Sequence, residues 1–288
     1  VMRWVVVGAR GMLGTDVVAR LERLDEDVLA LGRQDVDLSS PDSCAAALAG
    51  ADVVVNCAAY TAVDDAETHE DEAYAVNAVG AGNLARAATA AGARLVHLST
   101  DYVFDGTATA PYDEDAPTAP RSAYGRTKAA GERAVAESGG DHLVVRTAWL
   151  YGAHGACFPK TIARAAHARG ALDVVDDQHG QPTWTVDVAD VLVRLVATGA
   201  PAGTYHATSS GATTWHGFAQ RVVESAGLDP AIVAPTTSEA FVRPAPRPAY
   251  SVLGHRRLVE VGVAPIGSWD ERWAAAAAAV LAESEERV

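Results

Sequence analysis

Tyr124 and Lys128 stand four residues apart in Ala123-Tyr124-Gly125-Arg126-Thr127-Lys128. On a helix that spacing puts a phenol and an ammonium on one face. An ammonium at about 4 Å in an effective dielectric of about 20 is worth about 4 kcal/mol, enough to draw a phenol from about 10 towards neutrality before burial opposes it. The pair could then protonate a ketone oxygen while hydride arrives at the carbonyl carbon. By itself Tyr-x-x-x-Lys is an ordinary motif, and a solvated helical pair is its plain alternative. Two companions sharpen it: the hydroxyl-rich Ser99-Thr100-Asp101, and the opening turn Gly8-Ala9-Arg10-Gly11-Met12-Leu13-Gly14.

The turn follows the apolar run Trp4-Val5-Val6-Val7 and precedes a helical pattern of Leu13, Val17, Val18 and Leu21. Strand, glycine turn, helix is a phosphate-binding arrangement: residues without Cβ let a pyrophosphate approach the backbone, and the helix start supplies N–H groups. The spacing here is Gly-x-x-Gly-x-x-Gly. Short β-branched runs then alternate with alanine-rich helical stretches, with strands expected at Val5–Val7, Val28–Leu31, Val53–Val55, Leu95–Leu98 and Leu143–Val145 and helices around Glu72–Ala91 and Tyr124–Glu137. Such alternation specifies a parallel sheet covered by helices, whose ligand crevice lies at the carboxyl ends of the strands. Gly8, Gly32-Arg33, Asn56-Cys57-Ala58-Ala59, Ser99-Thr100 and Arg146-Thr147 all fall there. After Gly152 the alternation loosens and a second lobe is expected. Residues 1–152 form the nucleotide-binding unit in this reading, with a later segment free to return to the sheet, and 153–288 supply mainly a substrate lobe. Arg243-Pro244-Ala245-Pro246-Arg247-Pro248 is too proline-rich for regular structure.

Composition narrows the function classes. The 288 residues, 49% hydrophobic and 21% charged, are globular in proportion. A net charge of -14 argues against a nucleic-acid partner, since affinity for phosphate backbones comes from lysine and arginine. Cys44, Cys57 and Cys157 suggest neither a disulfide framework nor a metal site, and a reducing, cytoplasmic location is expected. No stretch reaches the length of about 18 apolar residues needed for a membrane span, and Ala274–Ala279 reads as helix.

At Asn56-Cys57-Ala58-Ala59-Tyr60-Thr61-Ala62-Val63-Asp64, Ser99-Thr100-Asp101-Tyr102-Val103-Phe104-Asp105-Gly106, Arg146-Thr147-Ala148-Trp149, Asp177-Gln178-His179-Gly180-Gln181-Pro182-Thr183 and Arg247-Pro248-Ala249-Tyr250-Ser251-Val252-Leu253 the chain resembles the dTDP-4-dehydrorhamnose reductases, a branch of the extended short-chain dehydrogenase/reductase superfamily. The resemblance covers nearly the whole chain. It implies an α/β, Rossmann-like doubly wound parallel sheet with a smaller C-terminal substrate-binding lobe. It implies further that Thr100, Tyr124 and Lys128 are catalytic, with Thr100 on the C4 carbonyl of a dTDP-linked keto sugar, Tyr124 as proton donor, and Lys128 tuning Tyr124 and holding the nicotinamide ribose.

By the same resemblance, Gly8, Gly11, Met12, Leu13, Gly14, Arg33, Asp37, Leu38, Cys57, Ala58 and Ala59 would bind the cofactor, and Asp101, Trp149, Gln178 and Arg247 would join Thr100 around the sugar nucleotide. Plainer readings stand beside these, with Asp101 capping a turn, Trp149 in the core and Gln178 in a rigid loop. Arg33, with no acidic residue at the end of its strand, suits a 2′-phosphate and predicts NADPH, with NADH as the alternative. Some family members bridge a homodimer through carboxylate-bound Mg²⁺. Asp16 would match one such ligand, but Val186 occupies another, so no metal ligand is assigned and a homodimer is left open. Asp65 stands where relatives often carry lysine. The expected reaction is reduction of dTDP-4-dehydro-β-L-rhamnose to dTDP-β-L-rhamnose; the alternatives are a related antibiotic-deoxysugar or dihydrostreptose-type reductase, and a non-catalytic regulatory subunit of methionine adenosyltransferase type.

Overall fold

A computed structural model describes residues 1–282. The five anticipated strands form at β1 (Arg3–Val7), β2 (Asp27–Leu31), β3 (Val53–Asn56), β4 (Arg94–Thr100) and β5 (His142–Thr147), separated by α1 (Met12–Glu22), α2 (Pro41–Ala47), α3 (Glu70–Tyr74), α4 (Ala81–Ala91) and α5 (Ala123–Glu137). The helix anticipated around Glu72–Ala91 is therefore not one uniform helix. A π-helical segment, Ala75–Gly80, separates α3 from α4. The wider turn accommodates α5: a Cβ on Gly131 would lie 2.1 Å from Asn77 O, so only glycine lets the two helices approach this closely.

Downstream lie β6 (Leu150–Tyr151), α6 (Phe158–Arg169), β7 (Leu172–Val175), β8 (His179–Gly180), β9 (Thr183–Trp184), α7 (Thr185–Ala197), β10 (Gly203–His206), β11 (Thr213–Thr214), α8 (Trp215–Ser225), β12 (Val233–Thr236), α9 (Arg256–Glu260) and α10 (Trp269–Ala282). Of these, β10 joins the main sheet, whose order is β10-β5-β4-β3-β1-β2, with every pairing parallel. Parallel strands buried on both faces read as continuous apolar runs, as Val53-Val54-Val55 does. One face packs through Val6, Leu13, Val17, Val96, Leu192 and Leu195 onto α1 and α7; the other packs through Val5, Val54, Leu84, Leu95 and Val144 onto α2, α4 and α5. A third core, around Tyr151, Phe218, Val222 and Trp273, belongs to the C-terminal elements.

The strand order reverses around β1, which pairs with β2 on one side and β3 on the other. A crevice opens at such a switch point, outside the carboxyl ends of the strands. Along the same edge, Thr100 ends β4 opposite Thr147 at the end of β5.

Candidate active site

The crevice begins with a backbone cradle. Gly8 takes φ +79°, and a Cβ there would lie 2.7 Å from Ala58 N; a Cβ on Gly14 would lie 2.2 Å from Gly8 O. Both glycines are needed to bring β1, α1 and the Cys57-Ala58 turn together, and Cys57 N donates to Val7 O at 2.8 Å across that junction. Gly11 differs: it is exposed, and a Cβ would meet only Gly8 O, at 3.3 Å. As the residue preceding α1 it contributes no side-chain cap, so the N–H groups of the first turn are left for an anion. These residues fit a dinucleotide pyrophosphate. Met12 and Leu13 open the helix; Leu13 is buried in the core beneath it. Ala58 and Ala59 are half-buried along the crevice.

At the end of β2, Arg33 is exposed. A second arginine that the motif reading passed over joins it: Arg10 pairs with Asp35 at 3.3 Å, and Asp35 also accepts from Gly32 N at 2.7 Å. The signal was present, since Arg10 lies inside the glycine turn, but nothing in the linear spacing shows that it reaches the next strand. Asp37 accepts from Ser39 N at 2.9 Å and Ser39 Oγ at 2.7 Å, which holds its carboxyl below the ordinary range. Leu38 packs on Gly80, and Asn83 Nδ2 donates to its carbonyl at 2.8 Å.

Tyr124 and Lys128 both lie on α5, whose start is capped by Ser122 Oγ accepting from Gly125 N at 3.1 Å. A Cβ on Gly125 would lie 2.2 Å from Tyr102 O, so this glycine seats the helix start against the segment that follows Thr100. The Tyr124 ring meets that of Tyr102 edge-on at 5.6 Å. Asn77, also unremarked in the sequence, ties the crevice floor to α5: Oδ1 accepts from Tyr60 N at 2.8 Å, while Nδ2 donates to Tyr60 O and to Thr127 Oγ1, each at 3.1 Å.

The electrostatic expectation for the pair is corrected by the geometry. Burial pushes the Tyr124 phenol up to about 12, the Thr100 hydroxyl lowers it somewhat, and the charge of Asp101 raises it. Lys128 is not among the groups that shift it; its Nζ donates to Leu98 O at 2.6 Å. Burial in turn brings the Lys128 amine down to about 8. Nearby Cys57 is pushed up to about 12 by burial and stays a neutral thiol.

Thr100 Oγ1 donates to Asp101 Oδ1 at 2.9 Å and accepts from Tyr102 N at 3.2 Å. Asp101 is almost wholly buried, which lifts its carboxyl to about 6 despite the hydroxyls of Ser251 and Thr100 beside it. Arg247 pairs with Asp64 at 3.0 Å and lies over the Tyr102 ring at 6.0 Å, so the proline-rich segment closes against the segments that follow β3 and β4. Gln178 is buried and donates to Ser238 Oγ at 2.9 Å. Trp149, at the end of β5, stacks on Trp215. Asp65 accepts from the Tyr60 hydroxyl and pairs with His69 at 3.1 Å.

The carboxylates on α1 and α7 have partners within the chain. Asp187 is held by both Arg272 Nε and Nη2, and Asp190 by Arg20 and Arg194. Asp16 has Thr185 and His154 beside it, and no group of three metal-ligating side chains converges among the described residues. No helix among them is long and apolar enough to cross a membrane.

Comparison with known proteins finds relatives along most of the chain. The RmlD substrate binding domain family matches residues 2–282. A probable dTDP-4,6-dihydroxy-2-methyloxan-3-one 4-ketoreductase of Streptomyces antibioticus is 52% identical, over 93% of this chain and 92% of its own. A dTDP-4-dehydrorhamnose reductase of Streptomyces griseus is 50% identical, over 93% and 90%. Among solved structures, a dTDP-4-dehydrorhamnose reductase of Bacillus anthracis in complex with NADP superposes with a TM-score of 0.92 at 36% identity, covering 96% of this chain and 98% of that one.

Proposed function

From the premise that this chain belongs to the RmlD family of dTDP-4-dehydrorhamnose reductases, and so is an oxidoreductase, we propose that it reduces the C4 ketone of dTDP-4-dehydro-β-L-rhamnose to dTDP-β-L-rhamnose with NADPH. The observation that carries the reading is the convergence of Thr100 with the Tyr124-Lys128 helix at the strand edge that also bears the glycine cradle. Gly8, Gly11, Met12, Leu13 and Gly14 would hold the pyrophosphate, Cys57, Ala58 and Ala59 would line the route to the nicotinamide, and Asp37 with Leu38 would flank adenine. Arg10 and Arg33, on either side of Gly32, supply the positive charge that favours a 2′-phosphate. Bound NADPH would supply the hydride.

The protein's own groups manage the oxygen. Thr100 and Tyr124 direct their hydroxyls to the carbonyl, and Tyr124 transfers its phenolic proton as negative charge develops. A phenol held near 12 is wholly protonated at neutral pH, and transfer stays favourable because a secondary alkoxide is a stronger base than a phenolate. Lys128, buried beside Leu98 O, would hold the ribose hydroxyls with its remaining N–H donors. Arg247 would leave Asp64 for the diphosphate of the substrate, and Trp149, Asp101 and Gln178 would complete the sugar-nucleotide pocket.

The 52% identity to the Streptomyces antibioticus ketoreductase favours a second reading, reduction of another dTDP-4-keto-deoxysugar. NADPH oxidation with enzymatically generated dTDP-4-dehydro-L-rhamnose, with product identified by NMR, separates the two. Turnover to dTDP-L-rhamnose that falls about 10²–10⁴-fold in Tyr124→Phe, with cofactor binding intact, is the expected result. Turnover of a different dTDP-4-keto sugar in preference to this one would replace the first reading by the second.

A further inference from the structure

Trp149 is one of two non-glycine residues with positive φ among the described residues, at +47°; the other, Asp25, lies in the exposed turn after α1. A left-handed backbone is inexpensive for a small polar residue in a turn, but for a bulky aromatic it is strained and persists only when the surroundings impose it.

The surroundings here are unusually restrictive. The Trp149 and Trp215 rings stack with centroids 3.5 Å apart at 7°. On the other side, a Cβ on Gly180 would lie 2.3 Å from Trp149 Cε2 and 2.6 Å from both Cζ2 and Nε1, which places Gly180 over the face of the indole and not at its rim. No Trp215 atom is among the nearest neighbours of that Cβ position, so the two contacts lie on opposite faces. Trp215 is backed in turn by Phe158, at 4.5 Å. The two jaws are one unit: Gly180 in β8 pairs with Thr213 in β11, and Thr214 caps α8, whose first residue is Trp215. Trp149 O accepts from Thr183 N at 3.2 Å, fixing the backbone as well.

We propose that Trp215 and Gly180 are positioning residues that clamp the Trp149 indole, leaving its edge as the surface that selects the sugar of the substrate. With both faces covered, the indole offers a rim and an Nε1–H that has no hydrogen-bond partner among the described residues, suited to a sugar hydroxyl or ring oxygen. The inference rests on Trp149 bordering the sugar, as proposed above. The same unit reaches the other wall of the crevice, since His179 N donates to Ala249 O at 2.8 Å and Ser251 N to His179 O at 2.9 Å. A change in the clamp is therefore expected to act on the sugar wall.

The test compares Trp215→Leu, Trp215→Phe and Gly180→Ala with wild type, reading far-UV circular dichroism for the exciton couplet of two stacked indoles and KM separately for NADPH and for each of two dTDP-4-keto sugars. Trp215→Leu is expected to abolish the couplet, raise KM for the preferred sugar about tenfold, equivalent to about 1.4 kcal/mol, narrow the preference between the sugars, and leave KM for NADPH unchanged. Trp215→Phe, which also removes the couplet but keeps a flat ring, should restore most of the sugar affinity and guards against a folding defect in the leucine variant. Gly180→Ala should reproduce the sugar defect while keeping both tryptophans. If Trp215→Leu and Gly180→Ala both keep wild-type sugar KM and preference while NADPH binding is intact, the clamp is overturned. A wild type inactive on every dTDP-4-keto sugar would instead overturn the proposed reaction; the clamp would then be read from the couplet and from calorimetric binding of dTDP-rhamnose, and unchanged binding in both variants would overturn it there too.

Discussion

At the scale of single residues, burial sets the proton affinities around Thr100. Asp101 has its carboxyl lifted to about 6 by burial, so the folded state holds a proton that the unfolded chain, with an ordinary carboxyl near 3.8, has released. Stability contributed by the neutral acid is present below that lower value and is lost as pH rises through about 6. Asp101→Asn should therefore gain stability relative to wild type across this window, by up to about 3 kcal/mol, measured by urea unfolding at a series of pH values; a difference that does not change with pH would refute it. Lys128 titrates at about 8, and it is charged below that value. In the free enzyme kcat/KM should fall as pH rises through about 8, because a neutral amine holds the ribose less firmly. The two arginines beside Gly32 make a separate prediction. Arg10→Ala and Arg33→Ala should each raise KM for NADPH several-fold, by about 1 kcal/mol or more per charged hydrogen bond lost, with little change for NADH; an equal effect on both cofactors would place these charges away from the 2′-phosphate.

At the scale of elements, α5 must be held against β4 and β5 for Tyr124 to stand beside Thr100. A buried ion pair does much of this: Arg146 in β5 donates to Glu132 in α5 through Nε at 2.9 Å and Nη2 at 2.7 Å, and Ser99 Oγ donates to the same carboxylate at 2.5 Å. Removing one partner leaves the other charge buried and unpaired. Glu132→Ala should destabilise the protein by about 3–5 kcal/mol, seen as a lower denaturation midpoint and partial loss of activity at the assay temperature. The Tyr-x-x-x-Lys helix was legible because its spacing is local. The π-helical segment was not, since its wider turn answers to Gly131 on another helix, and local periodicity carries no record of that neighbour.

At the scale of the whole molecule, the C-terminal elements do two things: α7 and β10 complete the sheet unit, while the core around Phe218 and Trp273 supports the opposite wall of the crevice. Arg247 and Arg243 join the two sides through Asp64. The outer faces of α1 and α7 are tied by Arg20 to Asp190, and α7 to α10 by Arg272 to Asp187. With those carboxylates engaged by guanidinium groups, chelation by EDTA should leave activity and sedimentation coefficient unchanged. A loss of either that Mg²⁺ restores would show that the arginines yield to a metal.

What the sequence determined by itself was local in origin: β-branched runs that must become buried parallel strands, glycines that admit a pyrophosphate, and a phenol and an amine placed four apart on one helix. Each depends on chain geometry over a few residues, so residue type and spacing suffice. The tertiary structure alone decided the direction of the Tyr124 shift, the turning of Lys128 to Leu98 O, the reach of Arg10 to Asp35, and the stacking of Trp215 on Trp149. Those depend on desolvation and on partners brought together from distant parts of the chain, and neither quantity exists until the molecule has folded.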